Sequence, residues 1–444
     1  MRHVLVAALL FPAAVTAAPV KVDPKAERAK LEALWKDLQS FDTVVRAGAV
    51  LGLVEHPRAV SFLKEKLTPV AATKEETTAR LKDLNSDDEK VRERAYDELR
   101  YFDPRLALTV AEQVEAATTE FARRRLLRLW QPRLWPSPDA DRIPVNATLS
   151  LRMVKEGEVE VKYRQKSAVG VETTTWNEQV QPVARYPSHS WITAALAALA
   201  LDRIGTPAAT ALLERLATGH PDAFPTKFSV ALLQPGPSEP FSAKRFDRIW
   251  RQFWDGEPIA TARGLFALIE NPETAALLKP KMLPIRADKK QITMWLKALN
   301  SDDEKVWKPA YHSLMYHQPL LAVSVEDQIE AVTNDAGRSR LMAVYSPDSP
   351  NGTVRVRQDF NLTIDGERLL GVVHRGGSEA REYVTIQPLA EYTPAPWRQV
   401  RLAVLALERA KSPEAVAVLK QLADGHPAIR PTRDAKAALE RLGK

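Results

Sequence analysis

Two spacings of apolar residues share this chain. Over most of its length they recur every three or four positions, and in two short stretches they recur every second position. Val91, Ala95 and Leu99 stand four apart and form one apolar stripe of a helix ending near Tyr101. Leu212, Leu213 and Leu216, with Leu419 and Leu422 in a later segment, mark buried faces of the same kind. Thr206-Pro207 and Ser412-Pro413 each place a capping side chain before a proline at the first helical position. Gly219 and Gly425, each followed by His-Pro, predict left-handed residues that stop those helices. Ser86 with Glu89 predicts a capping box, and Asp87 and Asp88 suit the positive end of the helix dipole. Further helices are predicted over 24–39, 43–54, 58–67, 105–117, 119–130 and 190–203.

The period-two stretches predict strands. Leu149, Leu151 and Met153 alternate with Ser150 and Arg152, and Val159, Val161 and Tyr163 alternate with Glu160, Lys162 and Arg164 across a turn at Lys155-Glu156-Gly157-Glu158. Later, Val354, Val356, Phe360, Leu362 and Ile364 share one face and Arg355, Arg357, Asp359 and Asn361 the other, ahead of an Asp365-Gly366 hairpin turn. A third strand is predicted in each stretch, near 171–182 and 381–389.

The chain is one long unit written twice. Leu84-Asn85-Ser86-Asp87-Asp88-Glu89-Lys90-Val91 returns letter for letter from Leu299 to Val306, a shift of 215 (299 minus 84). Downstream of the strands the shift is 206, as Trp191 and Gly219-His220-Pro221 recur as Trp397 and Gly425-His426-Pro427. The predicted organisation is a first helical unit over 24–234 with a β insertion near 145–183, a Pro-rich linker over 235–244, and a second unit over 245–443 with a β insertion near 353–389. The fold class is mainly α with small β insertions, with helix pairs stacked in the manner of an α-solenoid and each unit interrupted by a short antiparallel meander.

Leu-Trp-x-x-Leu at 34–38, Leu-x-x-Leu-Asn-Ser-Asp-Asp at 81–88, Arg-x-Arg-Leu at 123–126 and the Thr-Pro helix over 206–219 resemble bacterial HEAT-like helical repeat proteins. The resemblance covers about three-quarters of the chain. It implies a scaffold or binding surface and brings no catalytic residues with it. The β meanders depart from that pattern.

Composition narrows the chemistry. With no Cys in 444 residues, disulfides, thiol nucleophiles and Cys-ligated metals are excluded. The net charge of +7 leaves most charges balanced, and export further disfavours a nucleic-acid partner. Arg2 and His3 followed by the apolar run Val4–Val15 and Val15-Thr16-Ala17 predict a signal peptide over 1–17, hence a periplasmic or secreted protein. No later apolar run is long enough to span a membrane.

No phosphate loop, dinucleotide fingerprint or His-Glu-x-x-His helix occurs. His312 and His317 stand five apart, which does not align two metal ligands on one helix face. The repeated pair Arg123 and Arg125 is read as satisfying carbonyls or carboxylates within its unit, with Glu115 as a candidate partner. No catalytic, cofactor or metal residue is expected. The function expected is a non-catalytic scaffold for protein partners of the cell envelope, touching them through Arg152, Lys162, Arg164, Trp176, Arg355 and Arg357. The alternative is an envelope-polymer hydrolase with unpaired carboxylates between the two units.

Overall fold

The duplication is laid out element by element in a computed structural model, which describes residues 23–130, 147–167, 170–180, 182–183, 187–234, 240–286, 288–346, 359–366, 368–375, 378–389 and 392–443. The predicted signal peptide, Arg355 and Arg357 lie outside the described residues. The first unit contains α1 (Pro24–Leu38), α2 (Thr43–Glu55), α3 (Ala59–Lys66), α4 (Lys74–Asp83), α5 (Glu89–Phe102), α6 (Val110–Ala116) and α7 (Glu120–Trp130), then β1 (Ala147–Lys155), β2 (Glu158–Ser167) and β3 (Gly170–Gln179), then α8 (His189–Ile204), α9 (Pro207–Ala217) and α10 (Phe224–Leu233). The second unit repeats the order with α11 (Ala243–Asp255), α12 (Pro258–Ile269), α13 (Thr274–Leu278), α14 (Lys289–Ala298), α15 (Glu304–His317), α16 (Val325–Ala331), α17 (Asp335–Val344), β4 (Phe360–Asp365), β5 (Arg368–Arg375), β6 (Ser378–Thr385), α18 (Ala395–Ala410), α19 (Pro413–Ala423) and α20 (Arg430–Arg441). The fold is mainly α, with two small antiparallel sheets ordered β1-β2-β3 and β4-β5-β6.

Local chemistry sets the helix starts. Thr206 accepts from the Ala209 amide and Ser412 from the Ala415 amide, each ahead of a proline at the first position; such caps are worth about 1 kcal/mol. At 86–89 the expected capping box is absent. Asp88 caps α5 by accepting from the Lys90 amide at 2.8 Å, while Ser86 Oγ accepts from the Asp88 amide. The sequence 105–117 does not form one helix, because Pro104–Leu106 is a separate 3-10 turn and Thr109 starts α6 afresh.

Gly219 and Gly425 also depart from expectation, since neither has a positive φ. Their lack of a side chain serves close approach instead. A Cβ at Gly219 would lie 2.5 Å from Thr226 Oγ1 and 2.9 Å from the Val70 nitrogen, and one at Gly425 would meet Thr432 and Ile285 in the same way. Next in sequence, the His220 amide donates to Val70 O at 2.6 Å and the His426 amide to Ile285 O at 2.8 Å. The glycines let two backbones touch.

Each unit also carries a buried glutamine clamp. Gln113 donates to Leu108 O and accepts from Trp130 Nε1, both at 2.9 Å. Gln328 donates to Val323 O at 2.9 Å and accepts from the Tyr345 hydroxyl at 2.5 Å.

The two units share one apolar core, to which Val50, Leu53 and Leu199 contribute from the first and Leu265, Leu268 and Val404 from the second. Helix α2 packs against α12, its own counterpart, and the crossed contacts α2–α18 and α8–α12 flank it. Two ion pairs bridge the units reciprocally. Arg203 meets Glu270 at 2.5 Å and Arg409 meets Glu55 at 2.9 Å. Shifts of 206 and 215 carry Arg203 to Arg409 and Glu55 to Glu270, so each pair is the image of the other. Away from this centre each unit has its own satellite core beneath its sheet, with β1 against α6 and α7 and β4 against α16 and α17.

Candidate binding site

Three features meet at the first sheet: a polar face, an outer edge and a cleft at its base. Pairing in β1 and β2 is regular until a shift between Met153 and Lys155, which marks a bulge at Val154. The second sheet pairs without such a shift. Met153 and Lys155, on either side of this bulge, both line a cleft of about 840 Å³. Its apolar lining is Leu106, Leu108, Val110, Met153, Val180 and Val183, and its polar lining includes Arg105, Lys155, Glu156, His220 and Asp222. A cleft of this size and character falls in the range that holds small ligands or apolar side chains.

The electrostatics of the wall are largely internal. Arg105 grips Asp103 through Nε at 2.9 Å and Nη2 at 2.5 Å, with both side chains about 95% buried (5% and 4% exposed). Asp103 holds a φ of 36°, and its carboxylate also accepts from the Arg105 amide at 3.0 Å. Lys155 meets Glu158 at 2.9 Å, and this contact draws the Glu158 carboxyl below its usual range. Lys227 does the same to Asp222 from 3.0 Å. His220 Nδ1 accepts from the Asp222 amide, so the ring holds its own loop. In the second unit the corresponding residues are Gln318 and Leu320, and no buried ion pair stands there.

Four of the residues expected to contact a partner lie on the first sheet. Arg152 is exposed on β1 and pairs with Glu160 at 3.3 Å. Lys162 stands between Ser150 and Thr175, and Arg164 between Thr148 and Thr173, all on the polar face. Trp176 pairs in register with Val161 of β2.

The outer edge is β3, ten residues in unbroken register with β2. It has neither Lys nor Pro, and Val171 on it is 63% exposed. Its continuation, Val180, donates its amide to Gly157 O at 2.8 Å and lines the cleft. Sequence reasoning missed Asp103, Arg105 and the Val154 bulge. The available signal was the contrast between the two units, since Asp103-Pro104-Arg105 aligns with Gln318-Pro319-Leu320.

Arg123 and its counterpart Arg338 tie helix to sheet. Arg123 donates to Leu149 O at 3.2 Å and Arg338 to Phe360 O at 3.1 Å. Arg125 meets Glu93 at 2.5 Å rather than Glu115. The carbonyl half of the expectation holds, and the Glu115 half does not, because α7 lies against α5 and places Glu93 in reach.

Near the contact between the units several carboxylates are engaged. Arg401 meets Asp42 at 3.1 Å and Asp434 at 2.7 Å, and Arg441 meets Glu408 at 2.6 Å. Asp42 is held below its ordinary range, the Arg401 guanidinium and helix-start amides outweighing the effect of burial. Glu257 caps α12 through the Ile259 and Ala260 amides. No three described His, Asp or Glu side chains converge as metal ligands, and no described helix is long and apolar enough to cross a membrane. No family model and no curated protein matches the chain.

Proposed function

We propose that the protein is an exported, non-catalytic scaffold that captures an extended polypeptide segment at the first sheet. The observation that carries this reading is the continuity of the β3 edge with the cleft through Val180. Natural sheets blunt their edges with lysine, proline, bulges or short strands. At ten residues β3 exceeds the common strand length of about five or six, and it carries none of those guards. A strand added there would form main-chain hydrogen bonds along β3 and place an apolar side chain over Leu106, Leu108 and Val110. The polar face with Arg152, Lys162 and Arg164 would then border the added strand. The apolar leader and the HEAT-like resemblance support export and a scaffold role.

Capture of envelope proteins by the immobilised chain, compared with Thr174→Pro and Thr175→Pro, tests this reading. Neighbouring strand residues point their amides in opposite directions. One of the two prolines therefore removes an outward donor and abolishes capture while the sheet persists. If both folded variants capture the same proteins as the parent, the edge is not the site.

A further inference from the structure

We propose that the face formed by α2 and α8 is self-complementary, its natural partner being a second copy of the same unit, so that this chain is a homodimer joined end to end. In a two-fold contact a patch meets itself, whereas head-to-tail stacking brings unlike patches together. Helix α2 meets α12, its own counterpart, and the flanking contacts α2–α18 and α8–α12 are images of each other. The bridging ion pairs obey the same operation, down to their surroundings. Glu55 and Glu270 are 54% and 58% exposed, and Arg409 and Arg203 are 24% and 32% exposed. The buried centre is mainly apolar, with Thr43, Thr261 and Arg401 among its buried polar members, and its apolar part resembles contacts between subunits that do not exist apart.

One departure from the two-fold states which copies prefer each other. Arg401 stands between Asp42 of the first unit and Asp434 of its own. Its counterpart in the first unit is Ala195, and the counterpart of Asp42 is Glu257. Two second units would offer Arg401 a glutamate. Two first units would set the half-buried Asp42 carboxylate against Ala195 and Phe224, the counterparts of Arg401 and Arg430, so both of its ion-pair partners are lost. The face therefore fits any copy, and Asp42 biases it against pairing of first units.

Full-length protein with a protease site placed in 235–239 and then cut provides the test. The two halves are expected to elute as one particle of undiminished mass; separation into half-sized species overturns the proposal. In a cut Asp42→Ser variant, where serine keeps the helix cap but removes the charge, a tagged first unit is expected to capture untagged first units, which the cut parent does not do. Absence of that capture also overturns it. The uncut chain gives a third reading because it has no native cysteine. The pairs E55C/R409C and R203C/E270C should cross-link equally with a short bifunctional reagent, and cross-linking of only one pair rejects the two-fold.

Discussion

The guanidinium of Arg401 donates to the carboxylate of Asp42 at 3.1 Å, across 359 residues of sequence. The same group holds Asp434 at 2.7 Å, and the Arg401 side chain is 9% exposed. Two acids and the buried Arg401, with Arg430 at 3.7 Å from Asp42, thus fasten the start of α2 to α18 and α20. Arg401→Met is expected to lower stability by about 3 kcal/mol, since it strips Asp434 of this ion pair and leaves Asp42 only the more distant Arg430 at 3.7 Å. Urea unfolding measures the loss. Asp42→Asn added to Arg401→Met should cost less than the sum of the single changes, because the residues act through one network.

His189 makes the fold sensitive to acid. Its Nε2 donates to Gln39 O at 2.7 Å, and Nδ1 accepts from Arg46 at 2.9 Å. Burial, with the Arg46 guanidinium next and a smaller effect from Arg100, pushes the imidazole down to about 4. An unfolded histidine titrates near 6.5, so the unfolded chain takes up the proton first. The stabilisation is therefore complete above about pH 6.5 and is lost as pH falls toward 4. After allowance for solvent screening the change is roughly 1–2 kcal/mol. His189→Gln, which keeps an acceptor for Arg46, should flatten stability against pH across that interval. An unchanged slope in chemical denaturation would assign the acid sensitivity to other groups.

Glycines at two sites are expected to respond in opposite senses to the same change. Gly219→Ala forces a methyl group to 2.9 Å from the Val70 nitrogen, at an expected cost of about 2–3 kcal/mol. Gly48 lies inside α2, and a methyl group added there would meet nothing within 4 Å. Gly48→Ala should therefore stabilise by roughly 0.5–1 kcal/mol. Thermal unfolding of the two variants distinguishes these directions.

The glutamine clamps give a third comparison. Gln328→Leu strands both the Tyr345 hydroxyl and Val323 O in the core, with an expected loss of about 2–3 kcal/mol. Tyr345→Phe removes the hydroxyl itself and leaves one acceptor unpaired, so its expected cost is about 1–2 kcal/mol. Adding Tyr345→Phe to Gln328→Leu should recover part of the loss, as read from urea midpoints.

Interactions within a few residues were legible in the sequence. The caps at Thr206 and Ser412 and the alternation at 149–164 all concern neighbours along the chain, and the structure holds them as expected, while the turn expected at Asp365-Gly366 falls one residue later because Asp365 pairs with Arg368. The start of α5 was legible to within two residues, because serine and aspartate compete for the same amides and Asp88 stands one position from the first helical residue. Gly219 deceived because a glycine after a helix is usually left-handed, and the Val70 segment that requires it lies about 150 residues away. The letter-for-letter repeat declared two units but could not show their symmetry, which depends on which faces meet. The cleft was hidden for a related reason, since its walls come from segments as far apart in sequence as Arg105, Met153 and Asp222.

The placing of Arg401 opposite Asp42, with Ala195 in the matching position, has a consequence for how such a chain changes over generations. In an assembly of identical subunits, one codon change alters both sides of the contact at once, and a new buried charge arrives in duplicate. Here the two sides have separate codons. An arginine can enter one face while the other keeps its alanine, and compensating acids need arise only once. Joining the copies converts a constraint of symmetry into two independently editable surfaces, and the cleft beside Arg105, with leucine at the matching place, is a second product of that freedom.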